Sequence, residues 1–123
     1  MIYPVTINLQ PIIKGYTWDF SGVLYLRSTS ESPYKLFDFT DYSATWEFLN
    51  EYDDETPITS LNTSDDTIVL GSDGTIVATM STTITEAMSI GTLKHAFSLT
   101  YPDLTTCYVY FVGLVPIIVR GGQ

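Results

Sequence analysis

The stretch that decides the fold is "TIVLGSDGTIVATM" (67–80), where two strand-like segments flank a tight turn. β-Branched and aliphatic residues, which favour strands, fill both segments. Between them, Gly71, Asp73 and Gly74 are residue types that accept the positive φ angles of hairpin turns. The stretch therefore predicts an antiparallel β-hairpin.

A second strand pattern lies nearer the N-terminus, in "GYTWDFSGVLYLR" (15–27). Trp18, Phe20, Leu24 and Leu26 share one parity, and Asp19, Ser21 and Arg27 lie on the other. This alternation predicts a half-buried strand. In "FDFTDYSATWEFLN" (37–50), a turn at Asp41 leads into a similar strand that carries Trp46. Both tryptophans are expected in the core rather than on a sugar-binding platform.

Turn residues recur every eight to twelve positions along the chain, a rhythm typical of short antiparallel strands. The whole pattern predicts about seven strands, in a single domain over residues 1–123. One short helix of about two turns is expected after Thr83, which forms a capping-box pattern with Glu86. Because alternating strands need a second sheet to cover their apolar face, we expect an all-β sandwich.

The charge balance argues against several partners. The chain has 5 basic and 14 acidic residues, so its formal net charge is −9. Nucleic-acid binders need Lys and Arg to neutralise phosphates, and the five basic residues here are scattered. We therefore expect no nucleic acid and no membrane as a partner. The N-terminus "MIYPVTINLQ" lacks the features of a signal peptide.

The residues that could carry chemistry are few. His95 is the only histidine, and no Gly-x-Ser-x-Gly motif accompanies it. The acidic run "EYDDE" (51–55), with Asp65 and Asp66 beyond it, could bind calcium, but its spacing does not match an EF-hand. The lone Cys107 lies in an apolar run and is expected to be buried. We predict no enzyme activity, no catalytic residue, no metal and no cofactor.

The last strand pattern, "TTCYVYFVGLVPIIV" (105–119), is apolar or aromatic on both parities. Cys107, Val109 and Phe111 share one parity, and Tyr108, Tyr110 and Val112 share the other. Gly113 suggests a β-bulge. A strand in a two-layer sandwich normally exposes a polar face to water. Because neither face of this strand is polar, a loop, the helix or another chain must cover the face that does not pack in the core. We favour another chain, with Tyr108, Tyr110 and Val112 as the interface.

Four segments in this order resemble a known family: "KGYTWDF" (14–20), "FDFTDYSATWEF" (37–48), "LGSDGTIVATMSTTITEAMSIGTLKHAFSLTYPD" (70–103) and "VGLVPIIV" (112–119). They are similar to small bacteriophage virion domains of tail and baseplate proteins, including the N-terminal domain of baseplate upper proteins. The positions that fit are Gly15, Thr17, Phe20, Thr40, Tyr42, Asp73, Gly74, Ile76 and Gly91. Asp41 stands where the family usually has a turn glycine, and residues 93–96 lack the usual tyrosine.

The resemblance implies an immunoglobulin-like sandwich that works by assembly rather than catalysis. It implies a virion protein, folded in the host cytoplasm, that is oligomeric in the particle and contacts other virion proteins. Two alternatives stay open: a carbohydrate-binding module for host adsorption, and a capsid decoration or head–tail joining protein. An enzyme would require a cleft lined by His95 and two carboxylates.

Overall fold

The computed structural model describes residues 5–23, 25–26, 35–36, 38–52 and 54–119. In that part of the chain, eleven strands and one helix follow one another: β1 (Val5–Thr6), β2 (Ile12–Ile13), β3 (Trp18–Val23), β4 (Tyr25–Leu26), β5 (Lys35–Leu36), β6 (Ser43–Leu49), β7 (Thr59–Asn62), β8 (Ile68–Leu70), β9 (Thr75–Met80), α1 (Thr82–Glu86), β10 (Gly91–Thr100) and β11 (Cys107–Ile118).

The strands form an all-β sandwich of two main sheets. The larger sheet has the order β1–β11–β10–β6–β7, and β2 also pairs with β11. The smaller sheet has the order β3–β9–β8, and β4 pairs with β5 in a separate ribbon. Strands β1 and β2 run parallel to β11, whereas the other pairs are antiparallel. The predicted all-β sandwich is confirmed, but the described residues form eleven strands rather than about seven, because several are short segments of two residues.

The core lies between the two sheets and follows from the period-2 alternation of the strands. Trp18 of β3, Trp46 and Phe48 of β6, and Met80 of β9 are almost completely buried. The ring of Trp46 packs edge-on against those of Trp18 and Phe97, with centroids 6.0 and 5.1 Å apart. The prediction that both tryptophans lie in the core is confirmed.

The predicted hairpin is present as β8 and β9, with Val69 paired with Val77. Only Gly74 of the three turn candidates has a positive φ, of 85°. Gly71 closes the turn instead, since its N–H donates to the Thr75 carbonyl at 2.9 Å. The Asp73 carboxylate accepts hydrogen bonds from Thr75, so its contribution comes from its side chain rather than from its φ angle.

Two local predictions need correction. The segment "VTINLQPIIK" (5–14) reads as one first strand bent at Pro11, but it divides into β1 and β2, which are separated by residues 7–11. The helix is shorter than two turns, and its N-cap is Ser81, whose Oγ accepts from the Ile84 N–H at 3.4 Å, rather than Thr83. It ends at Ala87, and Gly91 already belongs to β10.

The helix is attached to the turn before β3 through a buried threonine. The Thr85 hydroxyl donates to the Tyr16 carbonyl at 2.9 Å and accepts from the Gly15 N–H at 3.2 Å. Met88, just after the helix, is buried in the core, and Ile84 packs against it. Helix α1 therefore closes one end of the sandwich. We call the opposite end, where β6 and β11 begin and β10 ends, the turn end.

Candidate functional site

The single histidine is a core residue whose two ring nitrogens are both used. His95 is completely buried. Its Nε2–H donates to the Ile7 carbonyl at 2.6 Å, and its Nδ1 accepts from the Trp46 indole N–H at 3.0 Å. Burial lowers the pKa of the imidazole, and the bond to the Ile7 carbonyl only partly offsets this effect. The ring is thus a neutral bridge between β6, β10 and the N-terminal segment.

The acidic run after β6 lies against the larger sheet. Glu51 forms an ion pair with Lys94 of β10 at 3.2 Å, and the Asp54 carboxylate accepts from the Glu51 N–H at 3.0 Å. Asp53, which belonged to the calcium hypothesis, lies outside the described residues. Across the described part of the chain, no three His, Cys, Asp or Glu side chains are placed to hold a metal ion.

Four aspartates elsewhere fix turns, each through a threonine two or three residues later. Asp38 bonds to Thr40, Asp65 to Thr67, Asp73 to Thr75, and Asp103 to Thr105 and Thr106. Hydrogen bonds to a carboxylate favour its charged form, so the pKa of each is lowered. The bonds from Thr106 and Thr105 lower the pKa of Asp103 to about 2. Part of the chain's acidity is therefore structural.

Four tyrosines cluster at the turn end. The rings of Tyr42 and Tyr101 have centroids 4.9 Å apart, and the ring of Tyr108 meets Tyr101 edge-on at 5.6 Å. The hydroxyls of Tyr101 and Tyr110 are hydrogen-bonded to each other. Burial, with this bond, raises the pKa of Tyr110. We call these four residues the tyrosine cluster.

A β-bulge separates two halves of β11, and it lies at Tyr110 rather than at Gly113. Phe97 pairs with Phe111 and the next residue, Ser98, pairs with Val109, so Tyr110 has no directly opposite partner. Paired residues share a face, so Tyr108 points inward like Leu99, whereas Val112 points outward like Ala96. The predicted interface residues Tyr108, Tyr110 and Val112 therefore do not share a face.

The outward positions of β11 beyond the bulge, together with Val109, form a row without a polar side chain. Val109, Leu114 and Ile118 are exposed, and Val112 and Pro116 are half-buried. The neighbouring strand β10 instead presents Thr92, Lys94, Ala96, Ser98 and Thr100 on this face. We call the row Val109, Val112, Leu114, Pro116 and Ile118 the β11 strip.

A loop of the same chain covers part of this outer face. The Tyr52 hydroxyl donates to the Gly113 carbonyl at 3.1 Å and accepts from the Gly113 N–H at 3.0 Å. Lys94, on the outer face of β10, also donates to the Asn50 carbonyl at 3.3 Å. The loop leaves Leu114 44% exposed.

The prediction that Cys107 is buried was wrong. Cys107 is exposed, because the first residues of β11 extend beyond the core.

The junction of the two sheets at the turn end contains an open cleft of about 330 Å³. Its buried floor includes Phe39 and Ile68, and Tyr42 of the tyrosine cluster forms one wall. Asp41 and Asp66 also line it. Sequence reasoning missed this cleft, because its lining comes from separate segments of the chain, within residues 39–42 and 63–72, that no local pattern connects.

Comparison with known proteins identifies no relative: no family model and no curated protein matches the chain. None of the described helices has the length and apolar character needed to cross a membrane.

Proposed function

We propose that the protein is a structural component of a bacteriophage virion, in the tail or baseplate, and that it acts by assembly with other virion subunits. The observation that carries the proposal is the β11 strip. Large contiguous apolar patches on the surface of soluble proteins commonly mark contacts with a partner. Here the patch lies on a regular strand of the larger sheet, where the backbone holds the side chains in fixed positions.

The hydrogen bonds of the histidine and of four aspartates favour a role in assembly over a role in catalysis. His95 is buried with both nitrogens bonded to protein groups, so it has no free nitrogen to transfer a proton. Four aspartates are engaged by threonines of their own turns. The hydrogen bonds of these side chains stabilise the fold rather than presenting reactive groups to a substrate.

The backbone at Asp41 supports the resemblance to virion domains. Asp41 stands where that family usually has a turn glycine, and its φ is 66°. Glycine adopts this left-handed conformation freely, and aspartate is among the few other residues that tolerate it. A glycine at this position would adopt the same turn.

The interface proposed here consists of different residues from the one predicted from the sequence. Val112 stays in the contact as part of the β11 strip, next to Leu114 and Val109. Tyr108 and Tyr110 belong to the tyrosine cluster on the other side of the bulge. The contact with neighbouring subunits is thus made by aliphatic side chains of one strand.

The test replaces Leu114 in the phage that encodes the chain. We expect Leu114→Asp to fold as the wild type does, since the side chain is exposed, but to be lost from purified particles. Incorporation is measured by quantitative mass spectrometry of the particles, and folding by thermal unfolding of the purified chain. The matched control is Val69→Asp, an exposed strand residue of the smaller sheet. Normal incorporation of Leu114→Asp would rule out the β11 strip as the contact.

A further inference from the structure

The segment at the start of the described chain is lightly packed against β11. Residues 5–8 pair with β11 through β1, and the Ile7 N–H donates to the Val112 carbonyl at 2.7 Å. The Asn8 side-chain oxygen accepts from the Leu114 N–H at 3.1 Å. Asn8 is exposed, and Ile7 is half-buried. We call residues 5–8 the latch.

The latch ends where the chain enters the core. Leu9 is buried and donates its N–H to the Leu114 carbonyl at 2.9 Å, and Ile12 of β2 is completely buried. Buried apolar side chains hold a segment in place, whereas segments with few buried contacts open locally at a much lower free energy than the core. The latch can therefore open while Leu9 and the rest of the sandwich stay in place.

The latch covers the imidazole of His95, whose Nε2–H donates to the Ile7 carbonyl at 2.6 Å. Gly113 of β11 lies opposite His95 in the sheet. A Cβ added to Gly113 would lie 2.0 Å from the Ile7 carbonyl oxygen and 3.0 Å from the His95 Nε2. The Ile7 carbonyl thus occupies the space that a side chain at position 113 would take. When Ile7 moves away, this space opens beside Nε2 and water can reach the imidazole.

The elements packed around His95 direct no charged side chain of the described residues at its ring. The rings of Trp46 and Phe48 contact it from β6. The latch, β7, β8 and β9 carry no titratable side chain. Those of the other elements lie elsewhere: Asp19, Glu47 and Lys94 on outer faces, Glu51 on Lys94, Tyr52 on the Gly113 backbone, and Cys107, Tyr108 and Tyr110 at the turn end. A second proton on the closed ring would therefore be buried without a counter-charge.

A second proton also conflicts with the hydrogen bonds of the closed form. Nδ1 accepts from the Trp46 N–H at 3.0 Å, so a proton on Nδ1 would set two donors against each other. Burial lowers the pKa of His95 in the closed form, whereas an imidazole in contact with water keeps a pKa of about 6.5. The open form therefore binds the proton more tightly, and the ratio of open to closed form rises as the pH falls below about 6.5.

From this geometry we propose that the latch is a pH-sensitive switch: protonation of His95 opens residues 5–8 while the sandwich stays folded. Opening removes the partners of the Val112 carbonyl and the Leu114 N–H. Unpaired strand edges are places where another strand can add. Both residues belong to the β11 strip, so in the proposed function mild acid would alter the contact surface. The opening itself does not depend on that function.

The test is residue-resolved hydrogen exchange of the ¹⁵N-labelled full chain between about pH 7.5 and pH 5.5, with each rate divided by the intrinsic rate at that pH. We expect the protection of the Ile7 amide to fall by about tenfold over this range, because proton uptake by a group with a pKa of about 6.5 favours the open form. The amides of Leu9 and Phe97 should keep their protection, since the core stays closed.

A variant that weakens the latch without touching His95 provides a second measurement. Asn8→Ala removes the hydrogen bond to the Leu114 N–H. It should raise the fraction of open form, and so move the midpoint of the imidazole titration in NMR upward by about half a pH unit.

The matched control is Gln10→Ala. Gln10 is also exposed, and its side-chain amide also bonds to a backbone group, the Asp19 carbonyl, at 3.0 Å. Because Gln10 lies beyond Leu9, outside the latch, this variant should titrate as the wild type does.

Any one of three results would overturn the proposal. The first is that protection of the Ile7 amide, relative to that of Phe97, stays constant over the pH range. The second is that Ile7, Leu9 and Phe97 lose protection together, because protonation would then unfold the sandwich rather than the latch. The third is an equal imidazole midpoint in the wild type and Asn8→Ala. None of them bears on whether the chain is a virion component.

Discussion

At the residue scale, His95 shows how one polar side chain can join three parts of a β-sandwich. Its imidazole lies in the core, donates to Ile7 and accepts from Trp46. A buried polar group is stable only when its hydrogen bonds are satisfied. The ring meets this condition only as the neutral tautomer with the proton on Nε2.

Replacing His95 with leucine should destabilise the fold. The Trp46 N–H and the Ile7 carbonyl would both be left buried without partners, which should cost about 2–4 kcal/mol in the free energy of unfolding. Urea denaturation followed by tryptophan fluorescence measures this loss. Lys94→Gln, at the neighbouring outward position, is the control and should cost less than about 1 kcal/mol.

The same variant should alter the pH dependence of stability. Because burial lowers the pKa of His95 below 6.5, the unfolded chain binds a proton more readily than the folded chain. The wild type should therefore be most stable above pH 6.5 and lose stability as the pH falls below it. The part of this loss that precedes protonation of the carboxylates should be absent from His95→Leu, whereas the loss at lower pH, where the aspartates titrate, should be common to both proteins. Since the chain has only one histidine, equal pH profiles for the two proteins would contradict the role assigned to it.

The burial or turn position of a residue was predictable where the neighbouring sequence determines it. It was not predictable where a distant segment of the chain determines it. The alternation of strand β3 was enough to place Trp18 in the core, and the position of Asp41 indicated a turn. The partners of His95 were not predictable, because Ile7 and Trp46 lie 88 and 49 residues away in the chain. The exposure of Cys107 was missed because the apolar run extends beyond the core.

At the element scale, strand β11 determines which side chains this part of the larger sheet exposes to solvent. A bulge at Tyr110 shifts the parity of the strand, so its first residues and its later residues expose opposite sets of side chains. The sequence suggests a bulge through Gly113, but the pairing places it at Tyr110. Gly113 has another purpose, since the N-terminal segment passes so close that an added Cβ would lie 2.0 Å from the Ile7 carbonyl oxygen.

Gly113→Ala should therefore displace the N-terminal segment from the sheet. Backbone atoms cannot yield as a flexible side chain can, so we expect a loss of about 3 kcal/mol or more in the free energy of unfolding. Hydrogen exchange should show the largest increase at Ile7 and Leu9, whose N–H groups donate to Val112 and Leu114.

The control for this prediction is Gly91→Ala. Its φ of 153° is close to the 157° of Gly113, but nothing lies within 4 Å of the added Cβ. The two variants differ chiefly in the contact with Ile7. Equal losses of stability would show that backbone conformation, rather than the close approach of Ile7, requires the glycine.

The elements themselves were largely predictable, but not their pairing. Strands β3 and β6 follow from alternation, β11 follows from its apolar run, and the hairpin of β8 and β9 follows from "GSDG". The parallel pairing of β1 and β2 with β11 was not predictable, because it joins the two ends of the described chain and no local pattern encodes it. The cap at Ser81 was missed because Thr83 and Glu86 also fit a capping box.

At the scale of the whole molecule, the sandwich has two distinct surfaces. The β11 strip is apolar and regular, and lies on the outer face of the larger sheet. The turn end is acidic, aromatic and indented by the cleft. The strip suits permanent contact with another subunit. The proposed virion function depends on the first surface alone.

The most direct test of that function is the protein composition of purified phage particles, measured by quantitative mass spectrometry. The account predicts that the chain is present at a fixed number of copies per particle, in constant ratio to the tail proteins. A chain that is abundant in infected cells yet absent from the particles would contradict it.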